Sequence, residues 1–259
     1  MKNKNIPTKR VKVSGDNERI ILNYSIYSNT EKTEKQYKDR RIYIMENIFD
    51  NNQVNVFGKV VSELEFSHEV LGEKFYIVNI SIKRLSNVCD VIPIMVSERL
   101  IDVTCDYIDR FIEASGQFRS YNQHEENHNR LILSVFARDI QVFDEEVECE
   151  KTNYIFLDGF ICKPPVYRKT PLGREIADIL LAVNRHHGKS DYIPCVCWGR
   201  NAKYAGGLEV GVHVQICGRV QSREYQKKID EDQFEKRIAY EISINRINRA
   251  KEELDESND

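Results

Sequence analysis

One short segment carries the aromatic and basic residues whose spacing best suits ligand binding. If residues 191–200 form a β-strand, a period of two places Tyr192 and Trp198 on one face and small apolar residues on the other. Arg200 and Lys203 lie at its end. Aromatic rings stack on unpaired bases at about 1–3 kcal/mol each, and cations follow the phosphates. The pattern favours a surface for single-stranded nucleic acid; the alternative is that both rings cover one end of the core.

Two flanking segments extend this pattern. A basic turn lies upstream at Tyr167, Arg168 and Lys169, and residues 219–228 downstream combine Tyr225 with further cations. We expect the downstream segment to form a long, flexible hairpin; a solvated hairpin without a ligand is the alternative. The residues predicted to neutralise phosphates are Arg168, Lys169, Arg185, Arg200, Lys203, Arg223, Lys227 and Lys228.

Residues 164–173, 181–185, 191–200 and 218–225 resemble, in this order, the bacterial single-stranded DNA-binding protein (SSB) family. The resemblance extends over residues 153–250. It implies an OB-fold, a small five-stranded barrel, that coats single-stranded DNA without sequence readout. It also implies an assembly with four OB domains, which a homodimer of a two-domain chain would present. The implied base-stacking positions are His187, Tyr192, Trp198 and Tyr225.

The chain repeats its own skeleton, which indicates a duplicated domain. The residues that recur after 101 positions are Gly58, Gly72, Arg84, Asp90, Ile92 and Pro93, which become Gly159, Gly173, Arg185, Asp191, Ile193 and Pro194. After one inserted residue, Gly116 and Ser120 recur as Gly218 and Ser222.

The two copies differ in the residues that would bind a ligand. The counterparts of His187, Tyr192 and Trp198 in the first copy are Ser86, Val91 and Ser97. We therefore predict that the first copy serves packing, dimerisation or partner contact rather than DNA binding. The alternative is that Phe57, Tyr76 and Phe118 form a different nucleic-acid surface, although these rings would suit a core equally well.

The elements that must position these residues are β-strands. Runs rich in β-branched and aromatic residues, such as residues 75–80, 131–136 and 176–183, provide five strand candidates per copy, with one short helix at Asn201–Tyr204. Because this order describes an OB-fold, we predict an all-β protein with two tandem OB-folds. The predicted divisions are a flexible N-terminal extension (1–52), a first OB-fold with a degenerate binding face (53–143), a linker (144–152), a second, SSB-like OB-fold (153–250) and an acidic tail (251–259).

The charge distribution separates the two copies. Residues 51–150 carry 9 basic and 18 acidic side chains, whereas residues 151–250 carry 17 and 11. The second copy can thus attract a phosphate backbone through its net charge, and the first cannot.

Residues 124–128 match the H-E-x-x-H spacing of zinc peptidases. That chemistry needs a stable helix, whereas this segment lies between two β patterns, so we predict a polar hairpin loop. A zinc peptidase with a third ligand from Glu145, Glu146 or Glu148 is the weakest alternative. Without a phosphate-binding glycine loop or a nucleophile elbow, we predict no catalytic residue, metal, cofactor or enzymatic activity. The main functional alternative is an OB-fold interaction module that binds a replication or mobile-element protein. Replication or recombination proteins are also predicted as partners of the DNA-binding protein.

Overall fold

The computed structural model describes residues 51–125, 128–149, 151–185, 188–230 and 233–250. The predictions for residues 1–50 and 251–259 lie outside these ranges. No helix in the described part is long and apolar enough to cross a membrane. The elements are β1 (Asn52–Val60), β2 (Glu65–Val70), β3 (Glu73–Lys83), β4 (Cys89–Ser97), β5 (Phe111–Glu125), β6 (His128–Phe143), β7 (Asn153–Ile161), β8 (Val166–Lys169), β9 (Glu175–Asn184), β10 (Ser190–Trp198), α1 (Arg200–Gly206), β11 (His213–Asp230) and β12 (Gln233–Arg249).

The strands close into two barrels of the same topology. In the first barrel, β1 to β6, the strands follow the order β1-β3-β4-β6-β5 and β5 pairs again with β1. In the second barrel, β7 to β12, the order is β7-β9-β10-β12-β11 and β11 closes on β7. Each barrel has one parallel pairing, β4 with β6 and β10 with β12. This architecture confirms the prediction of two tandem OB-folds.

One recurring glycine in each barrel allows that barrel to close. A Cβ atom on Gly58 would lie 2.6 Å from the carbonyl oxygen of Ser81, and one on Gly159 would lie 2.5 Å from that of Ala182. These distances are shorter than van der Waals contact, so only glycine lets β1 cross over β3 and β7 cross over β9. The fixed spacing of the two glycines therefore has a steric cause.

The barrel interiors are filled by the inward-facing residues of each strand. Cys195 and Cys197 belong to this core, and burial raises the pKa of both thiols, that of Cys197 to about 12. Such thiols are poor nucleophiles at neutral pH because they remain protonated. Their burial agrees with the small, apolar inner face predicted for residues 191–200.

The first strands of the two barrels pair with each other. β1 and β7 run antiparallel, with Val54 opposite Ile155 and the pairing extending equally on both sides, from Asn52↔Leu157 to Val56↔Asn153. Since Val54 and Ile155 occupy equivalent positions of the repeat, the two barrels are related by a local two-fold axis through this pair. The axis brings repeat positions from one barrel onto their counterparts in the other.

The recurring Arg, Asp and Ser residues form two equivalent contacts across this axis. The carboxylate of Asp90 binds Arg84, with 2.6 Å from Nε to Oδ2, and accepts the amide hydrogen of Ser222 at 2.7 Å. The hydroxyl oxygen of Ser222 accepts the amide hydrogen of Val91 at 3.0 Å. A side chain of each barrel thus satisfies the backbone of the other.

The second contact repeats the first with the barrels exchanged. Asp191 binds Arg185, with 2.7 Å from Nε to Oδ2, and accepts the amide hydrogen of Ser120 at 2.6 Å. Arg185 also donates to the carbonyl oxygen of Ser120 at 2.6 Å. Arg185 therefore pairs with Asp191 and helps to hold the two barrels together, and the phosphate contact predicted for it stays a prediction.

Candidate nucleic-acid interface

A groove of about 740 Å³ lies where β8, β9, β10, β11 and β12 of the second barrel meet the first barrel. Its cations are five arginines, Arg84, Arg168, Arg174, Arg219 and Arg223. Its carboxylates are Asp178 and Glu241, and its aromatic residue is Trp198. The excess of guanidinium groups favours an anionic ligand, and the indole offers a flat apolar surface beside them.

Trp198 is the last residue of β10 and projects into this groove. Its side chain is 41% exposed, whereas its neighbour Cys197 is fully buried. Gly199 follows with a positive φ of 57°, a conformation that suits glycine, and the chain then enters α1. The exposed indole excludes the alternative in which Trp198 belongs to the core.

Two of the other three predicted stacking rings, Tyr192 and Tyr225, are exposed but lie outside the groove lining. Tyr192 is 47% exposed near the start of β10, and Tyr225 is 37% exposed on β11. The guanidinium carbon of Arg223 lies 5.9 Å from the ring centre of Tyr225, close enough for a cation–π contact. Tyr192 and Tyr225 are therefore accessible to bases, and Arg223 links Tyr225 to the groove.

Two of the predicted cations line the groove, and several lie around it. Arg168 and Arg223 are groove residues, and each also contacts a carboxylate, Asp178 at 2.9 Å and Glu241 at 3.9 Å. The Arg168–Asp178 pair is solvent-exposed and the Arg223–Glu241 pair is long, so both contribute little and can exchange for a phosphate. Lys169, Arg200 and Lys203 are exposed beyond the lining. His187 and the side chains of Lys227 and Lys228 lie outside the described residues.

Glu175 organises the basic turn beside the groove. It accepts a hydrogen bond from the hydroxyl of Tyr167 at 2.9 Å and pairs with Lys203 at 3.3 Å. The hydrogen bond from Tyr167 and the charge of Lys203 lower the pKa of Glu175, while the same bond raises the pKa of Tyr167. Tyr167 and Lys203 are thus oriented by one carboxylate, outside the groove itself.

Three groove arginines were missed by sequence reasoning: Arg84, Arg174 and Arg219. Arg219 belongs to the basic segment that the sequence singled out, and Arg174 follows the basic turn, so their charge was a usable signal. Arg84 comes from the first barrel. Nothing in the second copy could reveal it, because its position depends on how the barrels pair.

The corresponding region of the first barrel is built differently. Ser97, the counterpart of Trp198, is buried and donates a hydrogen bond to Glu73. Phe57 and Phe118 are 3% and 0% exposed, so the alternative in which they form a nucleic-acid surface with Tyr76 is wrong. Both rings belong to the interior.

A row of rings that the sequence did not single out covers part of the first barrel. His68 stacks on Phe75 with ring centres 5.1 Å apart, and Phe75 lies 5.7 Å from Phe136. The guanidinium carbon of Arg119 is 4.3 Å from the ring centre of Phe136. These rings stack on one another and on the guanidinium of Arg119, whereas the indole of Trp198 is open to the groove.

The H-E-x-x-H segment lies at the end of the β5–β6 hairpin. His124 and Glu125 are in β5 and His128 is in β6, with Glu125 paired to His128. The two histidines therefore lie on different strands, whereas a zinc peptidase carries them on one helix. Across the described residues, no group of three His, Cys, Asp or Glu side chains is arranged to hold a metal ion.

Residues 152–250 match the sequence profile of the Single-strand binding protein family. The match spans the second barrel, which supplies most of the groove. The first barrel lies outside it.

The curated relatives agree with this placement. The chain is 36% identical over 81 residues to single-stranded DNA-binding protein 2 of Listeria innocua, covering 29% of this chain and 51% of that protein. It is 36% identical over 83 residues to single-stranded DNA-binding protein A of Bacillus subtilis, covering 29% and 48%. The chain thus spans about half the length of the curated relatives it matches.

A solved structure is similar over both barrels. The wild-type single-stranded DNA binding protein from Thermus aquaticus superposes with a TM-score of 0.61, covering 77% of this chain and 93% of that chain. A deletion mutant of the same protein gives 0.62, with coverages of 80% and 98%. At 18% identity, both similarities establish the fold.

Proposed function

We propose that this protein binds single-stranded DNA through the groove of its second barrel. The observation that carries the proposal is the half-exposed indole of Trp198 in a groove lined by five arginines, within a barrel that matches the single-strand binding protein family. A base stacks on the indole while the arginines neutralise the adjacent phosphates. Neither contact reads a base edge, so the binding is largely independent of sequence.

The exposed rings beyond the groove extend the proposed DNA path. Tyr192 and Tyr225 supply further stacking surfaces, with Arg223 holding Tyr225 beside the groove. Lys169, Arg200 and Lys203 are exposed cations near this path, and His187, Lys227 and Lys228 remain proposed contacts from the sequence. The role is binding without a chemical reaction.

The proposal keeps the division of the chain predicted above. Residues 53–143 form the OB-fold with a degenerate face, and residues 153–250 form the DNA-binding one. We further propose that two chains assemble into a dimer with four barrels, and that the protein works in the cytoplasm with replication or recombination proteins. Light scattering after gel filtration measures the assembly; a monomer mass at micromolar concentration contradicts the dimer.

The sole tryptophan, Trp198, makes the central test direct. Titration with oligo-dT should quench its fluorescence, because a stacked base contacts the indole. The saturation point then reports the number of nucleotides bound per chain. A matched duplex serves as the control and should bind much more weakly, since paired bases are not free to stack. Tight binding without any change in Trp198 fluorescence would remove the indole from the site, and no binding would refute the proposed function.

A further inference from the structure

We infer that Arg84 and Arg219 form a phosphate-binding site at the junction of the two barrels. The site takes one phosphate of the bound strand and makes the first barrel a direct contributor to DNA binding. The inference rests on the proposed function and assigns a ligand group to two residues that sequence reasoning did not select.

Both guanidinium groups converge on one carboxylate. Arg84 follows β3 in the first barrel and binds Asp90 through Nε and Nη2, with 2.6 Å between Nε and Oδ2. Arg219 lies on β11 of the second barrel and reaches Oδ2 of Asp90 from Nη1 at 3.3 Å. Asp90 is 1% exposed, whereas both arginines are partly exposed and line the groove. The cluster therefore opens toward the groove on its cationic side.

Both guanidinium groups share the carboxylate of Asp90, and the charge of Glu241 in the groove lining also favours the charged form of Arg84. Burial, followed by repulsion from Arg84, lowers the pKa of Arg219, while Asp90 opposes the shift. Among the described residues, Nη1 of Arg84 has no hydrogen-bond partner, which leaves it available to an anion. A phosphate oxygen accepts from such guanidinium groups in a strong, charge-assisted geometry.

The two-fold axis supplies an internal control for the role of Arg219. With the 102-residue spacing that relates Gly116 to Gly218 and Ser120 to Ser222, the counterpart of Arg219 is Gln117. In that equivalent contact, Arg185 is the only arginine among the described residues that binds Asp191. One arginine per carboxylate therefore suffices to join the barrels. Arg219, the second arginine at Asp90, is therefore not needed to join the barrels, and it lines the groove.

The decisive variant is Arg219→Gln, which copies the residue at the equivalent position of the first barrel. Its unfolding midpoint should equal that of the wild type, because Asp90 keeps Arg84 and the amide of Ser222. Lys59→Gln, which removes an exposed charge outside the groove, is the matched control. Arg219→Lys keeps the charge without the planar fork and should recover the salt dependence but only part of the affinity.

Each variant is titrated with oligo-dT and with an abasic oligomer of the same length, over a range of salt concentrations. We expect Arg219→Gln to bind both probes about five- to tenfold more weakly at low salt, with a salt slope shallower by about 0.7 for one lost phosphate contact. Lys59→Gln should match the wild type.

The outcomes separate the inference from the proposed function. If Arg219→Gln matches the wild type on both probes while Trp198→Ala loses oligo-dT binding, the phosphate site is refuted and the proposed function stands. A loss on oligo-dT with none on the abasic probe also refutes it, because a phosphate contact does not depend on bases. If the wild type binds neither probe, both ideas fail together.

Discussion

The two barrels share a scaffold but differ in what they expose. Where the second barrel places Trp198 in an open groove, the first has the buried Ser97, and where the second has Arg219 at a shared carboxylate, the first has Gln117. The residues that stayed the same, such as Asp90 and Asp191, hold the barrels together. Duplication thus preserved the interface and left the outer surfaces free to diverge.

The first barrel has rearranged its rings rather than lost them. His68, Phe75 and Phe136 contact one another and Arg119, so their faces are partly occupied within the barrel. In the second barrel Phe160 stacks on His213 in the same way, but Tyr192, Trp198 and Tyr225 remain partly exposed. The contrast suggests that accessibility of the ring, more than the number of rings, distinguishes the two surfaces.

The largest expected effect is on the contacts between the barrels. Replacing Asp90 or Asp191 with Ala should lower the free energy of unfolding by about 3–5 kcal/mol, because a partly buried guanidinium loses its partner. Asp90→Ala should cost more than Asp191→Ala, since it leaves Arg84 and Arg219 facing each other without a carboxylate. Urea unfolding measures both values. Equal losses would mean that Arg219 adds no repulsion at Asp90, and negligible losses would mean that neither contact holds the barrels together.

The next effect is the salt dependence of DNA binding. If about six phosphates are bound, the affinity should fall a few hundredfold between about 50 and 200 mM salt. Converting Arg168, Arg174 and Arg223 to Gln should make the slope shallower by about 2, because three phosphate contacts are lost.

The same substitution of three cations in the first barrel, Lys74, Lys83 and Arg99, is the control and should leave the slope unchanged. None of these three residues lines the groove. An equal change from both triple variants would show that overall charge, rather than the groove, attracts the strand.

A smaller effect separates the aromatic surfaces. Trp198→Ala should weaken oligo-dT binding by about 1–3 kcal/mol whatever the base sequence, because one stacking platform is removed. Phe66→Ala removes an exposed ring from the first barrel, at the counterpart of Tyr167, and should leave the affinity unchanged. Fluorescence anisotropy with a labelled oligonucleotide measures both. A comparable loss from Phe66→Ala would assign a base contact to the first barrel.

The smallest effect concerns a carboxyl group found in only one barrel. Burial, with the charge of Asp139 as a secondary cause, raises the pKa of Glu113 to about 7, whereas its counterpart in the second barrel is Gln215. Between about pH 4.5 and 7 the unfolded chain ionises Glu113 while the folded chain keeps it protonated, so stability falls as the pH rises through this window.

Glu113→Gln removes that pH dependence. The variant should match the wild type near pH 4.5 and exceed its stability by about 1 kcal/mol at pH 8, a value reduced for screening by nearby solvent. Urea unfolding at the two pH values measures the difference. Parallel pH profiles for the two proteins would assign the titration to another group.

Local patterns predicted most of the fold, because a run of β-branched and aromatic residues indicates a strand within a few positions. The runs at 75–80, 131–136 and 176–183 all lie within observed strands, and the predicted helix Asn201–Tyr204 lies within α1. The short strands β2 and β8 were not predicted, since their exposed, polar residues have no inward-facing alternation. Their positions depend on pairing with β3 and β9, which the local sequence does not encode.

By itself the sequence determined the class of fold and the duplication, because periodicity and repeat spacing are read directly along the chain. For Trp198 it allowed either a binding face or a core position, and the exposed indole in the tertiary structure decided between them. Only the tertiary structure decided what the recurring arginines do. Arg185 pairs with Asp191 and donates to the carbonyl of Ser120 across the barrel interface. Arg84 makes the equivalent pair with Asp90 and also lines the groove. The physical reason is the two-fold pairing of β1 with β7, which brings Arg219 to Asp90 although 129 residues separate them in the chain.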